Sequence, residues 1–193
     1  APNRKVVRLD FNNINLGFEE IFSETSSSIR SVDLINQKFV INYLNDTFSN
    51  IKYFSKEGKE IGSLKLESLG SISGFTGRKE DNSIFYSFTN FKQPTQIYKL
   101  NLLTGSSELF WEESLTNFDP DNYETKLEFF PSKDGTLIPL HITHKKDLQI
   151  DSNTPVLLYG YGGFNISILP RFSKGYLAWM NQGGVFALAN LRG

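Results

Sequence analysis

Residues 155–165, with the sequence PVLLYGYGGFN, join a short apolar run to a glycine-rich bend. The apolar run is too short to favour a helix and includes β-branched Val156, so it predicts a buried strand. Gly160, Gly162 and Gly163 follow immediately, and glycine allows a positive φ or a close approach of the backbone to a bound group. The stretch therefore predicts a strand that leads into a loop able to lie against a ligand.

The residues that follow predict a helix and a second strand. A helix is expected over residues 172–182, and Gly183 and Gly184 supply its C-terminal stop. Its apolar face has helical spacing and consists of Phe172, Tyr176, Trp179 and Met180. A second apolar run at residues 185–190 predicts another buried strand. Strand, helix and strand together form a βαβ unit, so we expect parallel strands with a right-handed crossover.

The first 118 residues are rich in strand signals and contain a weak internal repeat. Apolar runs at residues 39–41 and 51–54 are retraced by runs at residues 84–86 and 97–100. The spacing is about 45 residues, which is typical of four-stranded β-propeller blades. We therefore predict about two blades and an outer strand at residues 6–10, with an antiparallel sandwich as the alternative. Two blades do not close a ring, which suggests an internal fragment of a longer protein.

A polar Pro/Asp/Asn cluster at residues 117–122 is the best candidate for a domain boundary. Beyond it, two apolar runs flank Asp134-Gly135, which is a hairpin signal. The predicted fold is thus all-β plus α/β. It consists of a partial β-propeller at residues 1–118, followed at residues 119–193 by the first strands of an α/β domain.

The composition excludes several classes of function. The net charge is −1 and 39% of the residues are hydrophobic, so nucleic-acid and membrane partners are not expected. The chain has no cysteine, which rules out disulfides and thiolate metal sites and fits a reducing compartment. No cofactor motif is present, so neither a cofactor nor a metal is expected.

Tyr161 is the strongest candidate for chemistry. Attack on a carbonyl carbon places negative charge on its oxygen, and one fixed donor there contributes about 3 kcal/mol. A tyrosine hydroxyl is a suitable donor, although Tyr161 could instead simply pack on the glycine-rich turn. His141 and His144 precede the strand and loop, so neither has the chain position of a triad histidine, and a structural role is expected for both. No Gly-x-Ser-x-Gly elbow occurs.

Several motifs resemble the prolyl oligopeptidase family. The clearest are LYGYGGFNIS at residues 158–167 and GGVFALANLRG at residues 183–193. The entry hairpin at residues 130–139 and the blade segment at residues 84–91 are also similar. The resemblance covers nearly the whole chain and is most specific over residues 126–193.

The resemblance implies a cytoplasmic serine peptidase that cleaves short peptides after proline. A propeller would cover an α/β-hydrolase catalytic domain, and the complete protein would be a monomer. Tyr161 would be the oxyanion-hole donor, and Phe164 would form a wall of the proline pocket. The catalytic Ser, Asp and His would lie beyond Gly193, so this segment alone should be inactive.

Two other readings remain open. One is a non-catalytic propeller that binds partners through its loops. The other is an esterase or lipase of the α/β-hydrolase class that uses the same loop. A Gly-x-Ser-x-Gly elbow downstream would support an enzyme, and a comparison of proline peptides with esters would separate the two enzyme classes.

Overall fold

The computed structural model describes residues 2–164 and 166–191, except for the side chain of Thr76. The described chain forms four β-sheets and one α-helix. The strands are β1 Val6–Leu9, β2 Phe18–Phe22, β3 Ser28–Ile35, β4 Lys38–Asn45, β5 Phe48–Ser55, β6 Glu60–Ser63, β7 Ser71–Thr76, β8 Ser83–Thr89, β9 Gln96–Asn101, β10 Ser107–Glu112, β11 Tyr123–Pro131, β12 Leu137–Lys145, β13 Val156–Gly160 and β14 Val185–Ala189. The helix is α1, Lys174–Asn181, and 3-10 turns lie at Ile14–Leu16 and Pro120–Asn122.

Strands β3 to β10 form two four-stranded antiparallel sheets of sequential strands. We call β3–β6 the first meander and β7–β10 the second meander. They coincide with the predicted repeat, and the described strands do not close a ring. Strand β1 is the predicted outer strand, and it pairs with β2. The repeat did not reveal β3 and β7; each contains two serines that interrupt its apolar sequence.

The β1–β2 hairpin and the two meanders pack face to face. Alternate residues of β4 enter opposite cores: Val40 packs with the second meander, whereas Ile41 packs with Phe22 of β2. Because successive side chains of a strand point to opposite faces, a sheet between two neighbours needs apolar residues at consecutive positions. This explains the nearly continuous apolar sequence of β4.

The fourth sheet has the strand order β11-β12-β14-β13 and is called the mixed sheet. Strands β11 and β12 form the predicted antiparallel hairpin. Strands β13 and β14 are parallel, as predicted, and α1 lies between them in the chain. The helix is shorter than expected: it begins at Lys174, so Phe172 lies before it and packs against Phe118.

The prediction that β13 is buried was wrong for the described chain. Val156 is 56% exposed and Leu158 is 66% exposed. The reason is position: β13 is the outer strand of the mixed sheet, whereas β14 lies between β12 and β13 and is buried along its whole length. An apolar run alone does not distinguish these two places.

Helix α1 ends in a Schellman motif that sets the start of β14. The Gly183 amide donates to Met180 O at 3.1 Å, and the Gly184 amide donates to Trp179 O at 3.2 Å. Gly183 has a φ of +84°, which favours glycine. The Trp179 indole lies directly against Gly184 and donates from Nε1 to Val185 O at 2.9 Å. The end of the helix therefore needs glycine at both positions: Gly183 for its positive φ, and Gly184 to leave room for the Trp179 indole.

Gly184→Ala should destabilise the protein by about 2 kcal/mol, because the new methyl group would overlap the Trp179 ring. Gly175→Ala is the matched control, since its methyl group would have no contact closer than 3.6 Å and replaces a helical glycine. Urea unfolding monitored by circular dichroism measures both. Equal stability of the two variants would contradict the proposed role of Gly184.

One aromatic side chain, that of Phe91, packs between the second meander and the mixed sheet. Phe91 follows β8, is 4% exposed and belongs to the same core as Met180, Phe186 and Leu188. Its ring centroid lies 5.8 Å from that of Phe186. The packing of α1 on β14 is thus completed by a residue from a blade.

His141 of β12 lies at the same contact. Its side chain is fully buried beside the rings of Phe48 and Phe91, with centroid distances of 5.1 Å to each. Nε2 forms a 2.6 Å hydrogen bond with Thr47 Oγ1, while Nδ1 has no partner within the described chain. The expected structural role is consistent with this burial, although only one ring nitrogen is paired.

Burial lowers the pKa of His141 to about 4, against a weaker opposing effect of the Asp46 carboxylate. The unfolded chain would bind a proton near the ordinary pKa of 6.5. Between these two values the unfolded state therefore holds more protons than the folded state, and stability falls as the pH falls. Above the upper value, His141 is neutral in both states and contributes no pH dependence.

The free energy of unfolding should therefore fall by about 2 kcal/mol through His141 as the pH is lowered from about 7 to about 4.5. His141→Asn should remove this part of the pH dependence, whatever it does to the stability at neutral pH. Urea titrations of both proteins across the range measure it. If the free energy of unfolding changed with pH by the same amount in the two proteins, His141 would not titrate as described.

Candidate functional site

The loop after β13 carries both predicted site residues, Tyr161 and Phe164. Gly160 ends β13, and a methyl group there would lie 3.2 Å from Leu191 Cδ1 and 3.4 Å from Ala189 O. Glycine at this position therefore allows close packing against the end of β14. None of the three loop glycines has a positive φ, so of the two uses predicted for them, a positive φ or a close approach of the backbone to a bound group, the first is not observed.

The side chain of Tyr161 folds back over its own loop and is half-buried. A methyl group on Gly163 would lie 2.9 Å from Tyr161 Oη and 3.1 Å from Cζ. Gly163 thus makes room for the phenol ring. No residue in the described chain forms a hydrogen bond with the hydroxyl, which leaves its proton available to a bound group.

Phe164 is the residue of the loop with a left-handed backbone, at a φ of +55°. The turn is closed by a 3.1 Å hydrogen bond from the Ile166 amide to Gly163 O. A bulky side chain rarely adopts this conformation, and such strain is concentrated at functional sites. The ring is 91% exposed, so it presents a flat apolar face at the loop tip. The sequence did not reveal the strain, because the adjacent glycines were the expected sites of positive φ.

A cavity of about 380 Å³ lies beside this loop, between the two meanders and the mixed sheet. Tyr159 and Ser167, which flank the loop in sequence, border the cavity, whereas Tyr161 and Phe164 do not. Arg30 and Arg171 also border it. No sequence motif indicated either arginine, because the cavity is assembled from segments far apart in the chain.

Other kinds of site find no support in residues 2–164 and 166–191. No group of three or more His, Cys, Asp or Glu side chains is placed to hold a metal ion there. In the same described residues, no helix has the length and apolar character that a membrane span needs. His144 donates from Nδ1 to Lys145 O at 2.8 Å, and its Nε2 lies 3.5 Å from Glu124 Oε1, so its contacts are with neighbouring backbone and side chains.

The arrangement at the loop suits recognition of a small apolar group next to a polarised oxygen. An unpaired phenolic hydroxyl can donate to an oxygen that gains negative charge. An exposed aromatic ring three residues away can cover a compact apolar ring. The described residues place both groups on one short loop.

Comparison with known proteins gives consistent matches. The family profile for the prolyl oligopeptidase N-terminal β-propeller domain matches residues 1–113. Prolyl endopeptidase from Elizabethkingia meningoseptica is 38% identical over 194 residues, which cover 100% of this chain and 27% of that protein. Prolyl endopeptidase from Dictyostelium discoideum is 35% identical over 92% of this chain and 24% of its own length. The chain thus spans about a quarter of these relatives.

Solved structures extend the match to the fold. A structure from a study of two prolyl endopeptidases and their inter-domain dynamics superposes with a TM-score of 0.94 at 37% identity, covering 100% of this chain and 29% of that one. Prolyl oligopeptidase B from Galerina marginata, bound to a 35mer hydrolysis and macrocyclization substrate, gives 0.93 at 27% identity, covering 100% and 28%. With its two meanders lying inside the matched propeller region, the chain belongs to the prolyl oligopeptidase family.

Proposed function

We propose that this chain is part of a serine peptidase that cleaves short peptides after proline, with Tyr161 supplying an oxyanion-hole donor and Phe164 a wall of the proline pocket. The observation that carries the proposal is the Tyr161 hydroxyl, which has no partner among the described residues and lies on a loop shaped by Gly163. The names of the similar proteins support the same activity.

The domain assignment belongs to the same proposal. We assign residues 1–118 to a partial propeller and residues 119–193 to the first strands of an α/β-hydrolase domain. The parallel pairing of β13 with β14 across α1 supports the second assignment, since such domains are built from this unit. The triad is not contained in this chain and would come from the rest of the catalytic domain. A monomeric, cytoplasmic parent protein is proposed on the resemblance.

The roles of the two residues differ physically. A donor to the oxyanion acts when charge develops on the carbonyl oxygen, so its loss lowers kcat more than it weakens binding. An apolar pocket wall contacts the proline ring before and during the reaction, so its loss reduces binding as well. Steady-state kinetics with the full-length protein can therefore test the two assignments separately.

Tyr161→Phe in the full-length protein should lower kcat by roughly 10²–10³-fold with little change in KM. Tyr98→Phe is the matched control, because its hydroxyl binds Gln96 within the second meander. The measurement is hydrolysis of a chromogenic proline peptide, with thermal unfolding as a check on folding. A kcat equal to that of the unaltered protein would remove Tyr161 from the mechanism.

Phe164→Ala should lower kcat/KM for proline peptides by about tenfold, since a flat apolar surface for the pyrrolidine ring is lost. Stability should be unchanged, because the ring is 91% exposed. Phe11→Ala removes another exposed ring, 81% exposed, outside the loop and serves as the control. An ester of similar size, tested in parallel, would reveal an esterase if it proved the better substrate.

A further inference from the structure

The cavity beside the Tyr161 loop is lined by basic residues and, within the described chain, by no acidic residue. Arg30 of β3 and Arg171 of the segment after the loop both border it, and no Asp or Glu does so within the described residues. Both side chains are exposed, and neither guanidinium forms an ion pair in the described part of the chain. The protein as a whole carries a net charge of −1, so this cationic cavity does not follow from an overall excess of basic residues.

Hydroxyl groups complete the polar lining. Ser71 borders the cavity, and its Oγ is buried without a hydrogen-bond partner among the described residues. Ser73 and Ser87 are also in the lining but already bond to each other at 2.9 Å. An unpaired buried hydroxyl is costly unless a ligand or water satisfies it. The cavity therefore offers the guanidinium groups of Arg30 and Arg171 to an acceptor group.

A hydrogen bond from the side chain of Arg4 holds the main chain next to Arg30. Arg4 Nη1 donates to Ile29 O at 2.9 Å. Arg4 and Asp46 border a neighbouring cavity of about 660 Å³, to which Arg30 also contributes. Among the described residues that line the two cavities, the one carboxylate is that of Asp46, and it belongs to the neighbouring cavity. The lining of the smaller cavity itself remains without negative charge.

The cavity is close to the proposed reaction site along the chain. Tyr159 borders it and precedes Tyr161 by two residues, and Ser167 borders it and follows Phe164 by three. An extended peptide advances about 3.3 Å per residue. A peptide with its reacting carbonyl at Tyr161 could therefore reach the cavity within a few residues.

We propose that this cavity binds the C-terminal carboxylate of a peptide substrate through Arg30 and Arg171. The inference rests on the proposed peptidase function and adds to it a preference for peptides with a free C-terminus a few residues after proline. A guanidinium group matches a carboxylate with two parallel hydrogen bonds, and a carboxamide cannot make the same charged pair. The preference would favour short peptides, in which the free carboxylate is near the cleaved bond.

The test uses the full-length protein and pairs of proline peptides with one to four residues after proline, ending in either a free acid or a carboxamide. Direct binding by titration calorimetry and hydrolysis are measured separately. For the best length, the acid should bind about tenfold more tightly than the amide and show a correspondingly lower KM. Arg30→Gln and Arg171→Gln should each reduce this ratio, and the double variant should bring it to about one.

Arg78→Gln is the matched control, because Arg78 lies in the β7–β8 turn and does not border the cavity. It should keep the full acid-to-amide ratio. Equal binding of acids and amides at every length, or a ratio that survives in the double variant, would overturn the carboxylate site even if hydrolysis proceeds. Preferential binding of the acids without cleavage of any peptide would support the site while contradicting the proposed peptidase function.

Discussion

The burial of Phe91 between a propeller blade and the mixed sheet is the contact on which the arrangement of this protein depends. Phe91 follows a strand of the second meander, yet its ring completes the core formed by Met180, Phe186 and Leu188. A second link is the hydrogen bond from the Phe172 amide to Thr89 Oγ1 at 3.2 Å. These contacts hold the segment after the Tyr161 loop against the blades, and Thr89 and Phe91 themselves line the cavity that Arg30 and Arg171 border.

Elements determined by local pattern were predictable from sequence. The Gly183-Gly184 stop, the βαβ order and the hairpin at Asp134-Gly135 each follow from short-range rules, and all are present. The second meander could be predicted together with the first, because similar apolar runs recur in both. Strand β7 was missed because Ser71 and Gly74 are not typical of strands; it lies at the end of its sheet and pairs with β8 along one edge.

Features that depend on which segments meet could not be predicted. The complete burial of His141 comes from Phe48 and Phe91, which are distant in sequence. The exposure of β13 follows from its place at the edge of the sheet, which an apolar run does not specify. Within the loop, the role of Tyr161 as an oxyanion-hole donor stays a prediction, and the strain at Phe164 depends on three-dimensional turn geometry. The two cavity arginines had no local signature at all.

The contact made by Phe91 also limits how the protein can open. Withdrawing this ring would expose it together with the faces of Phe186 and Leu188, at a cost on the order of several kcal/mol in lost apolar burial. A gap along this contact is therefore costly to form. Any separation of the second meander from the mixed sheet should therefore begin away from Phe91, which would be the last contact between them to be lost.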